Sequence, residues 1–268
     1  MIRLLRPADR PDAYALLLRA PALNLYLLGN METLGFDEEY CQFWGDFDDG
    51  GRLRGVVNRY MSGWAVYGAA TSAWAELAAV IDGHEVAATR LQDNPGGIPS
   101  LLPWLTKYRA AKVRVEELME LEATAFQPQS APPGIRIRRA AMADFAALVA
   151  LYRDAGHMSR TPEAVERPLR DTRIFLAEED ERIVSVALTN AETAELAMIG
   201  GVFTPPVGRG RGLSQAVCSA LCADLLADGK RPVLYWDTPA AGTVYRKLGF
   251  SKVGDWRSVW LESAFNPS

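Results

Sequence analysis

Residues 1–9 alternate polar and apolar side chains, which predicts a short strand, and Tyr14, Leu17 and Leu18 then recur at helical spacing. Residues 43–47, the turn Asp48-Asp49-Gly50-Gly51 and residues 53–60 read as a β-hairpin. Residues 63–69 continue as a strand, and Thr71-Ser72 stands where it could cap a helix over 73–82. The same order then returns. Residues 135–140 alternate, and Leu148, Leu151 and Tyr152 form a helical stripe behind Ala143-Asp144. Residues 173–178 and 182–189 flank the turn Glu179-Asp180-Glu181 as a second hairpin, and 195–204 form a strand. A helix with the stripe Leu213, Val217, Ala220, Leu221 and Leu225 stops at Gly229. A buried strand from Pro232, a short helix capped near Asp237-Thr238 and ended at Gly249, and strands over 251–254 and 257–262 complete the pattern.

Between the two patterns lies Gln127-Pro128-Gln129-Ser130-Ala131-Pro132-Pro133-Gly134, whose prolines and glycine disfavour helix and strand alike. It predicts a linker over 127–134 between a domain over 1–126 and a domain over 135–268, each of ordinary size. The recurring order of elements points to a duplicated α/β unit.

Composition narrows the function. The chain has 268 residues, 49% hydrophobic and 23% charged, with a net charge of −4, as expected of a globular protein with an ample core. Mild acidity disfavours nucleic acid or an anionic membrane surface as partners. Three cysteines do not make a disulfide framework and fit a reducing compartment. No apolar run follows Arg3 and Arg6 to form a leader, and the greasiest stretch, 13–28, is broken by Arg19, Pro21 and Asn24. A span needs about 20 nearly continuous apolar residues. The expectation is a cytoplasmic protein. Cys218 and Cys222 share one helix face and read as core, Cys41 stands alone, and no metal is expected. The tryptophans, including Trp44, Trp64, Trp74 and Trp104, read as core and packing residues.

The chemistry concentrates in 201–214. An apolar strand leads into Arg209-Gly210-Arg211-Gly212-Leu213-Ser214, and a helix starts there. Strand, glycine turn and helix N-terminus together suit a phosphate, because close backbone, free N–H groups and the helix dipole all favour an anion. Arg209 and Arg211 could add charge-assisted bonds. A nucleotide P-loop is excluded by the missing Gly-Lys-Ser/Thr, and a dinucleotide turn by the glycine spacing. RNA binding through a single Arg-Gly run has no basic face to support it.

With the block from Pro232 to Phe250, this segment resembles the GNAT superfamily of acyl-CoA-dependent N-acetyltransferases. That family's loop, Arg/Gln-x-x-Gly-x-Gly/Ala, is matched from Arg209 to Leu213, and Ser214 stands for its last small residue. Its second signature, Asn-x-x-Ala-x-x-x-Tyr and then Leu-Gly-Phe, is matched by Ala241, Tyr245 and Leu248-Gly249-Phe250, with Thr238 for the asparagine. The resemblance covers 135–262. Over the first half it is topological, since no Arg-x-x-Gly loop lies between Gly68 and Ala73.

The resemblance implies tandem GNAT-like α/β (α+β) domains, each a mixed, mainly antiparallel central sheet flanked by helices, the first without a cofactor site. It implies acetyl-CoA as co-substrate, between the strand ending at Thr204 and the strand ending at Asp237. Val202 and Thr204 would pair with the pantetheine amides, and an N–H of Val202 or Phe203 would polarise the thioester carbonyl. Arg209, Gly210, Arg211, Gly212, Leu213 and Ser214 would hold the pyrophosphate, with Thr238, Ala241 and Tyr245 also at the cofactor. A bulge at Gly200-Gly201 would force the strands apart. Tyr245 is the implied proton or hydrogen-bond donor to the leaving thiolate. The usual base glutamate falls at Met198. Glu195 lies more than about 20 Å from Val202 along an extended strand, beyond direct proton transfer. His157 and His84 read as ordinary histidines, and the base is left open between a water chain, the loop that holds His157 and the first half. The acceptor is a small-molecule or peptide amine, for which the acidic first half suits a cationic one. Oligomeric state is left open. The rival reading is a non-catalytic acyl-CoA sensor or regulatory scaffold.

Overall fold

The computed structural model describes residues 1–93, 96–236 and 238–265, with every side chain among them except those of Asp93 and His157. Its strands and helices run in this order. First come β1 (Ile2–Leu4), α1 (Arg10–Leu17), α2 (Leu25–Thr33), β2 (Cys41–Phe47), β3 (Leu53–Tyr60), β4 (Gly63–Gly68), α3 (Trp74–Gly83), β5 (Arg90–Asp93), α4 (Gly97–Leu101) and β6 (Tyr108–Glu120). Then come β7 (Arg136–Arg139), α5 (Phe145–Arg153), α6 (Pro162–Asp171), β8 (Ile174–Glu179), β9 (Arg182–Glu192), β10 (Leu196–Phe203), α7 (Leu213–Ala227), β11 (Arg231–Trp236), α8 (Pro239–Leu248) and β12 (Ser251–Ser263). The two lists repeat one pattern element for element.

The compact units divide the chain differently from the proline-based boundary. One comprises Met1–Leu118 with Gly254–Ser268, the other Met119–Val253. The reason is strand pairing. β12 is hydrogen-bonded to β5, with Val259 opposite Leu91 and Ser258 opposite Gln92, so the last strand belongs to the first unit's sheet. The chain just after β6 pairs with β11 through the Leu121 N–H to the Pro232 carbonyl (2.9 Å). Segment 126–135 is free of helix and strand, as its prolines dictate, and it is tied to the second unit by the Gln129 N–H to Ser219 Oγ (2.8 Å). Residues 251–263, expected as two strands, form one.

In the first unit the sheet order is β1-β2-β3-β4-β5-β12-β6. Adjacent valines of β3 face opposite sides: Val56 packs with Leu16, Leu17, Leu28 and Met31, and Val57 with Leu77, Ile81 and Ile98. That is the period-two alternation of a strand buried on both faces. Trp64 and Trp74 are buried as expected, whereas Trp104 is 55% exposed in a short turn after α4. Ser72 does not cap α3. Its hydroxyl donates to the Arg54 carbonyl, and the buried Asp46 accepts the Ala73 N–H instead (2.7 Å).

In the second unit the order is β11-β10-β9-β8-β7, with the end of β6 beside β11. Of the neighbouring pairs from β7 to β11, β10 and β11 run parallel and the others antiparallel. Phe175, Ala177 and Ala187 pack under Val217, Leu221 and Leu225 of α7, while Leu176, Val186 and Leu188 pack under Leu148, Tyr152 and Val165 of α5 and α6. Each unit opens with the same brace. The Arg3 guanidinium forks onto Asp9 (2.7 and 2.6 Å) and that of Arg138 onto Asp144 (2.7 and 2.7 Å). Each aspartate also accepts a backbone N–H three residues back, and the arginine holds its carboxyl below the usual range.

Candidate active site

The site starts where β10 and β11 part. Their parallel pairing runs through Leu196–Arg231, Ala197–Pro232 and Met198–Val233, and both strands continue beyond it. On the other edge of β10 the register with β9 slips between Met198 and Ile199 and again between Gly200 and Phe203. The slips are β-bulges, which bend a strand and re-aim its edge. Gly201 has φ +57°, a conformation that disfavours any residue with a Cβ. A Cβ there would also meet Leu188 and an Arg160 guanidinium nitrogen, each at 2.9 Å. A Cβ on Gly200 would meet the Asn190 amide at 2.0 Å. The glycine pair is thus needed for the bulge and for the side chains seated on it. Val202, Phe203 and Thr204 follow directly, with the Thr204 hydroxyl 2.7 Å from that of Ser185.

After Thr204 a short turn at Pro206–Gly208 leads to Gly210 (φ +77°) and Gly212 (φ +76°). Gly212 is the N-cap of α7, and no side chain caps that helix. Space is open where a Cβ would stand on either glycine. An uncapped N-terminus presents N–H groups and the positive end of the dipole, as an anion requires. The two arginines differ. Arg211 forks onto Glu179 (2.8 and 2.6 Å), which lowers the carboxyl's pKa and raises its own. Arg209 donates through Nε to the Thr204 carbonyl (3.2 Å), and among the described residues no carboxylate pairs with it. A cavity of about 490 Å³ touches this loop on the β9 side, lined by Ile183, Val184, Pro205, Val207, Gly208 and Arg211 among others. It is not the opening between β10 and β11.

Tyr245 lies on α8, 8% exposed, edge-on to Phe250 (5.9 Å between centroids) in the cluster that holds Cys218 and Cys222. Burial, with the two thiols beside it, pushes its pKa well up, so the phenol keeps its proton. Burial likewise pushes the Cys218 thiol up to about 12, and all three cysteines are buried and free. Ala241 packs against the same cluster. Thr238 is the N-cap of α8, without a side-chain cap bond, and Asp237, expected to share that role, lies outside the described residues. Gly249 ends the helix at φ +100°, and a Cβ on it would stand 2.0 Å from the Ala125 carbonyl oxygen.

Met198, where a base glutamate was sought, is fully buried. Glu195 is exposed in the turn before β10, at the end away from the bulge. The side chain of His157 lies outside the described residues. His84 belongs to the first unit, edge-on to Trp44 and Trp64, and burial and Arg59 lower its pKa. Three residues meet at the bulge that no motif in the sequence brings there. The Tyr152 hydroxyl donates to the Gly201 carbonyl, and the Arg160 guanidinium donates to Asn190 Oδ1 (2.9 Å) and stands 5.6 Å from the Tyr152 ring centroid. Only the pairing of β9 with β10 brings them together.

The equivalent position in the first unit is filled from within. β4 and β5 also pair in parallel at their starts, through Gly63–Arg90, Trp64–Leu91 and Ala65–Gln92. At the start of α3, however, Asp46 takes the Ala73 N–H, and Arg54 forks onto the same carboxylate (2.7 and 3.2 Å). An internal anion sits where α7 is open. Among the described residues no group of three or more histidine, cysteine or acidic side chains could hold a metal, and no helix is long and apolar enough to cross a membrane.

A parted parallel strand pair, a bulge and an uncapped glycine loop at a helix start thus meet in the second unit. Residues 136–253 match the family model described as acetyltransferase (GNAT) domain, and the second unit is a GNAT domain. No curated protein matches the chain in sequence. Among solved structures, a GCN5-related N-acetyltransferase from Sphaerobacter thermophilus shares 20% identity over 98% of this chain and 95% of its own, with a TM-score of 0.69. A Drosophila protein superposes with a TM-score of 0.73 at 12% identity, over 97% of this chain and 98% of its own. A tandem GNAT protein from the clavulanic acid biosynthesis pathway aligns over 100% of this chain and 99% of its own at 15% identity, with a TM-score of 0.65. The first half is therefore GNAT-like in fold as well.

Proposed function

We propose that the protein is an acetyl-CoA-dependent N-acetyltransferase whose only cofactor site is in the second unit, moving the acyl group directly to a primary amine. The observation that carries this is the uncapped N-terminus of α7 behind Gly210 and Gly212, set against the filled one of α3. Acetyl-CoA supplies the activated acyl group. The Arg209–Ser214 loop would hold its pyrophosphate, Val202 and Thr204 its pantetheine amides, with Thr238 and Ala241 at the other wall. An N–H of Val202 or Phe203 polarises the carbonyl. A bond from the amine nitrogen to the acyl carbon replaces the carbon–sulfur bond. The amine's proton goes to water, and the departing thiolate accepts a hydrogen bond from Tyr245 Oη. No covalent enzyme intermediate is needed when both substrates are held together.

Calorimetric titration of acetyl-CoA into the wild type and an Arg209→Ala/Arg211→Ala double variant tests the site. Micromolar binding that the double change weakens tenfold or more supports it, a loss of at least about 1.4 kcal/mol. No binding to the wild type leaves a likeness of fold alone. Binding without CoA release over a broad amine panel favours the sensor reading.

A further inference from the structure

We infer that the acceptor carries a carboxylate beside its amine, as α-amino acids do, and that Arg160, braced by Asn190, receives it; this rests on the transferase reading above. Arg160 lies between α5 and α6, and its guanidinium rests against Gly201, the residue before Val202, whose N–H is a candidate for the thioester carbonyl. The group is held in place. Asn190 Oδ1 accepts from one of its nitrogens (2.9 Å), the Tyr152 ring lies beneath it, and Tyr152 is anchored in turn on the Gly201 carbonyl.

Arg160, like Arg209, has no counter-charge among the described residues, but it is the one seated on the bulge. In the same unit Arg138, Arg173, Arg211 and Arg231 each pair with one or more carboxylates. Among the described residues none pairs with Arg160, which is partly exposed. A partly exposed arginine ordered by an amide and an aromatic face suits a planar carboxylate. The same charge repels an acceptor that brings only positive groups. The mildly acidic first half had suggested a cationic amine, but the local charge at the bulge acts at much shorter range. A single guanidinium favours a carboxylate over a phosphate monoester, which gathers more cations.

The test compares the twenty L-amino acids, their α-amides and O-phosphoethanolamine as acceptors at saturating acetyl-CoA, followed by CoA release. The full-length wild type, Arg160→Ala and Arg160→Lys are each assayed. The expected result is at least a tenfold preference in kcat/KM for an accepted amino acid over its amide. In Arg160→Ala that ratio falls to near one, chiefly through KM, and Arg160→Lys restores part of it. Equal use of acids and amides by the wild type overturns the inference, as does a preference for O-phosphoethanolamine. A loss in Arg160→Ala that leaves the ratio unchanged also overturns it, because a purely structural brace would behave so. If acetyl-CoA binds but no amine releases CoA, the amino acids are titrated into the protein–CoA complex, and the absence of Arg160-dependent heat overturns it. Failure of acetyl-CoA to bind overturns the transferase reading itself, and is seen separately.

Discussion

Burial decides what part Tyr245 can take in the proposed reaction. A phenol whose pKa is pushed far up is a poor acid but a dependable hydrogen-bond donor, because it keeps its proton throughout the working pH range. A bond to a charged acceptor contributes about 1.5–3 kcal/mol. Tyr245→Phe should therefore lower kcat roughly tenfold to a hundredfold while acetyl-CoA affinity, measured by calorimetry, stays nearly the same. Equal turnover would remove Tyr245 from the reaction. Its place on the short helix before Gly249 was legible because a motif of fixed spacing carries it. Arg160, Asn190 and Tyr152 were not. They lie on a loop, a strand and a helix, and what unites them is the register of β9 against β10, which no local pattern encodes.

At the scale of elements, α3 and α7 are the same helix in two repeats with opposite treatment of the N-terminus. In α7 glycines leave it open. In α3 the carboxylate of Asp46, fully buried on β2, accepts the Ala73 N–H and is held by Arg54. Without that carboxylate the Ala73 N–H loses its acceptor, which costs about 1–3 kcal/mol, while Arg54 still reaches solvent. Asp46→Ala should lower unfolding free energy in urea by about that much, with acetyl-CoA affinity unchanged. A gain of a second acetyl-CoA equivalent would instead mean that Asp46 alone blocks the first unit. The hairpins, the helix stripes and the glycine stop at Gly249 were legible because each is local and periodic. The capping of α3 was not, since Ser72 is the nearer residue in sequence and Asp46 the nearer in space. The last strand was divided too early at Gly254, which lies inside the single strand β12.

At the scale of the molecule, the duplication was readable in the order of elements, but the ownership of the strands was not. A proline-rich segment marks where the repeats meet in sequence, whereas hydrogen bonding assigns β12 to the first unit. A chain ended after Val253 should keep hydrogen-exchange protection in β8 and β9 and lose it by a hundredfold or more in β5, whose partner strand is gone. Uniform loss across both units would show that the strand serves them equally. The placement of β12 also orders events on the ribosome. Residues 119–253 hold every element of the second unit, so that unit can close as soon as they emerge. The earlier-made unit must wait with β5 uncovered on one side, an open edge of the kind that invites wrong pairing. The half of the protein that is synthesised first is the half that finishes last.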